Sequence, residues 1–146
     1  MNRLNLLTLG VKDMLKSLKF YREGLGFDVV VHGDEKNPDI IFFNNGGTKI
    51  SLYPIDQLAK DINEANPPAI GEGFGGITLA YNAKSKEEVD EKFELAEKAG
   101  ANIVKKPEIV FWGGYSGYFQ DPNGHYWEVA YGENWNFDED DMLIIE

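Results

Sequence analysis

Apolar and polar positions along the chain form short strand-like runs and helical stripes, and the order of these patterns repeats. Leu7-Thr8-Leu9-Gly10-Val11 and Ile77-Thr78-Leu79-Ala80-Tyr81 are apolar runs of strand length. A helical spacing follows each. After the first, Asp13 is placed to cap a helix whose apolar positions Met14, Leu18, Tyr21 and Leu25 lie 4, 3 and 4 apart, and Gly26 stops it. After the second, Ser85 and Glu88 form a capping box, Val89, Phe93 and Ala96 make the stripe, and Gly100 ends it. A strand comes next in each copy, over 27–31 and 101–104, and then a hairpin. The hairpin turns are Asn44-Asn45-Gly46-Gly47 and Asp121-Pro122-Asn123-Gly124, with arms over 40–43 and 49–53, and over 115–120 and 125–131. Each half predicts β-α-β-β-β.

The pattern divides a single domain, 1–146, into module 1 (4–54), a linker (55–73) with a short helix around 57–63, module 2 (74–131) and an acidic C-terminal tail (132–146). A half of about 55 residues buries little surface alone. The expected class is therefore α+β: two βαβββ modules joined in one curved mixed sheet around a cleft, with the helices outside.

Charge and composition narrow the partners. The chain carries 14 basic and 25 acidic residues, net -11, which opposes a polyanionic partner because phosphate neutralisation needs clustered Lys and Arg. Nucleic acid and anionic membrane surfaces are not expected. Six acids (Glu133, Asp138, Glu139, Asp140, Asp141, Glu146) fall in the last fourteen residues without a base, so the body is only mildly acidic. With no cysteine, thiolate nucleophiles, disulfides and Cys-type zinc sites are excluded. The longest apolar runs, Ile40 to Phe43 and Met142 to Ile145, are four residues long, far below the ~20 that span a bilayer. Asn5 and Thr8 interrupt the first apolar stretch and no secretory signal is expected. The protein reads as cytoplasmic.

The chemistry concentrates between Phe111 and Ala130. Pro122 sets the first corner of a type I turn and Gly124 takes the left-handed corner of a three-residue loop. That loop sets Asp121 opposite His125, Phe119 opposite Trp127, Tyr118 opposite Glu128 and Ser116 opposite Ala130. Alternation then puts Ser116, Tyr118, Gln120, Tyr126 and Glu128 on one face, assigned to the cleft, and Phe119, Trp127, Val129 and Tyr131 on the helix-packed face. A two-residue loop would exchange Tyr118 for Phe119. Burying the Glu128 carboxylate costs several kcal/mol unless it is paired, protonated or metal-bound. It reads as a metal ligand, a general base or an anchor for a cationic group, or else as a half-solvated acid hydrogen-bonded to a tyrosine. His125 lies three residues before Glu128, so the two point to opposite faces of a strand. His125 reads as a turn residue and His32, beside Gly33 and Asp34, as a loop end. Two-His-one-carboxylate and three-His sites are unsupported. Lys12, Lys16 and Lys19 read as a solvated stripe.

Two β-α-β-β-β halves, the opening Leu-Thr-Leu-Gly-Val-Lys-Asp, Phe20-Tyr21, Leu25-Gly26-Phe27, and Asp121-Pro122-Asn123-Gly124-His125 followed by Trp127-Glu128 resemble the vicinal oxygen chelate superfamily, which includes glyoxalase I, bleomycin-resistance proteins and extradiol dioxygenases. The resemblance covers residues 4 to 131. It implies a divalent-metal site at an early position in the first strand and a position in the last strand of each half: Leu6, Ser51, Gly76 and Glu128. Leu6 precedes Leu7-Thr8-Leu9 as Gly76 precedes Ile77-Thr78-Leu79, and only Glu128 is a strong ligand. The reading is therefore metal-free, with no cofactor expected. A small aromatic or cationic molecule binds in a cleft lined by Ser51, Tyr53, Trp112, Ser116, Tyr118, Tyr126 and Glu128; the tryptophan and tyrosines stack on it and Glu128 anchors it. The alternative is a metal-dependent lyase or isomerase of the lactoylglutathione lyase type, with Glu128 catalytic. A homodimer is compatible with the family, and a dimerising module without ligand is a third reading.

Overall fold

The computed structural model describes residues 2–145. The chain divides between Gly75 and Gly76 into two compact units, and each builds a four-stranded mixed sheet with helices packed against it.

In the first unit, β1 (Leu6–Val11), α1 (Met14–Leu18), β2 (Val29–Asp34), β3 (Asn37–Phe43), β4 (Lys49–Pro54) and α2 (Ile55–Ile62) follow in order. The sheet order is β1-β4-β3-β2, with β1 parallel to β4 and the remaining pairs antiparallel. Asp13 caps α1 by accepting from the Lys16 amide at 2.9 Å. The regular helix is shorter than its apolar spacing predicts, because Lys19–Gly24 widens into a π-helical turn. The Leu25 amide bonds back to the Phe20 carbonyl at 2.9 Å, which rotates the buried stripe. Leu18, Phe20 and Tyr21 become the buried residues, whereas Met14 and Leu25, both expected inside, are only half-buried. Tyr21 packs edge-on against Phe20, Phe27 and Phe43 with centroids 4.9 to 5.9 Å apart. Leu9, Val11, Ile41, Ile50 and Leu52 complete this core. His32 lies inside β2, not at a loop end, with its ring 5.5 Å from Phe42; the irregularity comes one residue later, at Gly33.

The second unit runs β5 (Thr78–Ala83), α3 (Lys86–Ala99), β6 (Asn102–Ile109), β7 (Tyr115–Gln120) and β8 (Tyr126–Tyr131), with sheet order β5-β8-β7-β6. Ser85 caps α3 by accepting from the Glu88 amide at 3.0 Å, and Gly100 closes it in the left-handed conformation. The other half of the capping box reaches one residue further: the Glu88 carboxylate accepts from the Lys84 amide at 2.7 Å and from the Tyr81 hydroxyl at 2.5 Å. Val89, Phe93 and Ala96 are buried as the spacing predicts. They meet Phe119, Trp127 and Val129, whose burial is worth roughly 1.5–3 kcal/mol each. Gly117 leaves room for this packing, since a Cβ there would lie 2.6 Å from Phe93 Cζ. β6 extends to Ile109, beyond the expected 104, and Pro107 is accommodated because β6 is an edge strand with irregular register.

No helix among the described residues is long and apolar enough to cross a membrane.

Candidate functional site

The hairpin from β7 to β8 has the register that Pro122 and Gly124 impose. Ser116 pairs with Ala130, Tyr118 with Glu128, Phe119 with Trp127 and Gln120 with Tyr126. Asp121, almost fully buried, holds the turn: its carboxylate accepts from the amides of Asn123 and His125 at 2.8 and 2.9 Å, and Gly124 sits at φ 89°. His125 is accordingly a turn residue, outside β8.

Alternation from this register separates the sheet faces. Phe119, Trp127 and Val129 go to the helix side, and Ser116, Tyr118, Tyr126 and Glu128 share the open side. β5 pairs with β8 so that Ala80 stands beside Glu128. The central rung of the open face is thus Ala80, Glu128 and Tyr118. Glu128 is half-buried. The Tyr118 phenol is raised above its ordinary value of 10.0, first by burial, then by the hydrogen bond it donates to Glu128 and by that carboxylate's charge. The ion pairs among the described residues involve Arg22, Lys84, Lys98 and Lys105, and none reaches Glu128. The open face therefore presents one carboxylate braced by a neutral phenol, with Tyr126 on the next rung.

The corresponding rung of the first unit is Thr8, Ser51 and Phe42. Here Ser51 is fully buried and its hydroxyl donates to the Thr8 hydroxyl at 2.9 Å, so it is spent on a neighbouring strand. Tyr53 is half-buried at the end of β4. The structure thus brings Ser116, Tyr118, Tyr126 and Glu128 onto one face and places Ser51 and Tyr53 on the other unit's sheet. That unit has its own groove of about 320 Å³, with Leu6, Val30, Phe42 and Lys49 among its walls. Asn5, Asn44 and Lys49 are its polar walls, and the Lys49 ammonium donates to the Asn45 carbonyl.

Trp112 lies in the turn between β6 and β7 and stacks on Trp135, ring centroids 5.7 Å apart and planes at 18°. Trp135 belongs to the tail, which carries no periodic signal that could have marked it as a partner.

Register also corrects the placing of one position implied by the resemblance. Leu6 pairs with Lys49 five residues before the last match, Val11 with Pro54, and Thr78 occupies the same place opposite Tyr126, five residues before Ala83 with Tyr131. The helix caps Asp13 and Ser85 keep the same separation as Leu6 and Thr78. Gly76, outside β5, is therefore not the counterpart of Leu6; Thr78 is. The apolar runs that open at Leu7 and Ile77 are offset by two residues from this register, a shift that preserves the face.

With that correction the positions implied for a divalent ion hold Leu6, Ser51, Thr78 and Glu128. No imidazole or thiolate is present and there is a single carboxylate; among the described residues no three His, Cys, Asp or Glu side chains cluster to hold a metal. This donor set does not fit a divalent cation of the N/O-ligated type.

Known proteins share both the sequence pattern and the architecture. The chain is similar to a glyoxalase-related enzyme from Fulvimarina pelagi, whose crystal structure superposes with TM-score 0.87 at 29% identity, covering 99% of each chain. YraH of Bacillus subtilis (strain 168) is 27% identical over 120 residues, 82% of this chain and 90% of that protein. Metallothiol transferase FosB of Staphylococcus epidermidis is 27% identical over 129 residues, 88% of this chain and 83% of its own. The model of one family matches residues 3–129, spanning both sheets and the Tyr118–Glu128 rung, and the chain therefore belongs to the Glyoxalase/Bleomycin resistance protein/Dioxygenase superfamily.

Proposed function

We propose that this member of the superfamily binds a small aromatic or cationic molecule on the open face of its second sheet, without a metal, and that Glu128 anchors it. The observation that carries this reading is the Glu128 carboxylate itself. It is half-buried, braced by the Tyr118 phenol and flanked by Ala80, and no ion pair among the described residues reaches it. A carboxylate held this way gains most from a cation that replaces its lost solvation. Tyr118 and Tyr126 offer ring faces beside it, suited to a planar or cationic group. Ser51 and Tyr53 stand on the first unit's sheet and Ser116 is covered, so the reading rests on Tyr118, Tyr126 and Glu128.

A second reading, a metal-dependent transferase, lyase or isomerase, draws on the likeness to FosB, a metallothiol transferase by name. It requires ligands that Leu6, Ser51 and Thr78 do not supply.

Binding of the planar cation 9-aminoacridine separates the two. At 100-fold its Kd, a ligand that binds only the folded state raises stability by about 2.7 kcal/mol. Thermal unfolding with and without the dye is expected to show this gain in the wild type. Glu128→Gln is expected to lose it while the unliganded Tm stays unchanged. Mass spectrometry of protein purified without chelator is the second arm: a stoichiometric divalent ion that survives dialysis would favour the enzymatic reading and sink the metal-free one.

A further inference from the structure

The two glycines that flank the open face are occupied by indole rings. Gly114 immediately precedes β7 and Gly132 immediately follows β8, and alternation continues the rows Ser116–Tyr118 and Glu128–Ala130 through them. A Cβ on Gly114 would lie 1.7 Å from Trp112 Cζ3, and one on Gly132 would lie 2.6 Å from Trp135 Cε2. Neither residue has a positive φ, so close approach of the rings, not backbone conformation, excludes side chains here. The indoles stack on each other above this bare floor. On the next rung, toward Glu128, the small side chains of Ser116 and Ala130 are each 2% exposed. One rung of sheet spans about 7 Å along the strand, comparable with the length of an indole. Trp112 still leaves 44% of its surface exposed.

The tail that carries Trp135 is folded on itself and tied to the rest of the second unit through Lys84. Phe137 bridges to Leu143, and the Asp138 carboxylate accepts from the amides of Asp140 and Met142 at 3.0 and 2.8 Å. The Lys84 ammonium pairs with Asp141 and lies 5.8 Å over the Phe137 ring.

We propose that the C-terminal segment is part of the binding site: Trp135, stacked on Trp112 over the Gly114 and Gly132 floor, is a ligand-contacting residue and forms the aromatic wall of the Glu128 face. This rests on the reading of Glu128 as an anchor. The wall stands beyond the Ser116 and Ala130 rung, so a ligand whose cationic end meets Glu128 puts its ring system against the indoles. That geometry selects fused ring systems over compact cations.

Fluorescence titration of the full-length protein with 9-aminoacridine, run on wild type, Glu128→Gln, Trp135→Ala, Trp135→Phe and Gly132→Ala, tests it. Trp135→Ala is expected to weaken binding by about tenfold, equivalent to about 1.4 kcal/mol, and Trp135→Phe to restore most of the loss. Gly132→Ala, which keeps the indole but displaces it, is expected to weaken binding as well and to reduce the near-ultraviolet circular dichroism of the stacked pair. Unchanged affinity in Trp135→Ala, with loss in Glu128→Gln, overturns the wall and leaves the anchor standing. Loss in Trp135→Ala with full affinity in Glu128→Gln supports the wall as a ligand contact and removes the anchor. No binding to the wild type overturns both.

Discussion

At position 118 a phenol donates to Glu128 from a partly covered sheet face, and burial is the larger reason why it titrates above 10.0. The hydrogen bond and the charge of Glu128 come second. Neutralising the acid therefore removes only the smaller contributions, and Glu128→Gln is expected to lower the Tyr118 titration part of the way towards its ordinary value. Ultraviolet tyrosinate absorbance through alkaline pH measures this, with Tyr118→Phe identifying the transition. The sign for stability follows: a raised folded-state pKa adds stability that is present below the unfolded value and is lost as pH climbs through the folded one. A complete return to 10.0 in Glu128→Gln would contradict burial as the main cause. The same rung in the first unit shows why the anchor is local to the second. Thr8 and Ser51 satisfy each other there, whereas Ala80 gives Glu128 nothing to bond.

At the start of α3, one carboxylate ties three elements together. Burial opposes ionisation of Glu88, but the Tyr81 hydroxyl, the Lys84 amide and the charges of Lys92 and Lys84 outweigh it, so the group titrates below its ordinary 4.5. A lowered folded-state pKa gives stability that is present above the unfolded value and is lost as pH falls through the folded one. Glu88→Gln is therefore expected to destabilise at neutral pH and to converge with the wild type in acid, whereas Ser85→Ala, which removes the cap, costs about 1 kcal/mol at both. Thermal melts of both variants at neutral and acid pH check this; a Glu88→Gln deficit that persists in acid would count against it. The α3 cap and stripe were legible in the sequence because Ser85, Glu88, Val89, Phe93, Ala96 and Gly100 all support one regular helix. The β7–β8 register was legible for a similar reason, since Pro122 and Gly124 admit one loop length and the loop fixes each facing pair. The first helix was not. Its 4, 3, 4 spacing is a valid α-helical stripe, and only the tertiary demand of Phe20 and Tyr21 for the same core widens it into a π turn. The match of Leu6 with Thr78 and not with Gly76 was not legible either, because a shift of two keeps every side chain on its face. Trp135 escaped because its contact depends on bare glycines at strand ends, which sequence shows only as turn residues.

Charge is the property of the whole molecule that bears most directly on the site. The net -11 is concentrated towards the C-terminal end, and the tail acids lie on the same unit as Glu128, with Lys84 neutralising Asp141. Two electrostatic contributions to cation binding then have different ranges. The field of Glu139 and Asp140 acts through solvent and fades over about 8 Å at physiological ionic strength. Contact with the half-buried Glu128 is screened less. The affinity of 9-aminoacridine is expected to fall from low to high salt in the wild type, and to fall less in a Glu139→Gln/Asp140→Asn double variant, which leaves the Asp138 turn bonds in place. Glu128→Gln is expected to bind weakly at every salt concentration while retaining the wild-type slope. Acridine-9-carboxylate, the same ring system with an anionic group, is expected to bind less than the cation under all these conditions. Equal affinity for the two dyes would mean that the face reads ring surface alone, and Glu128 would lose its role as the anchor.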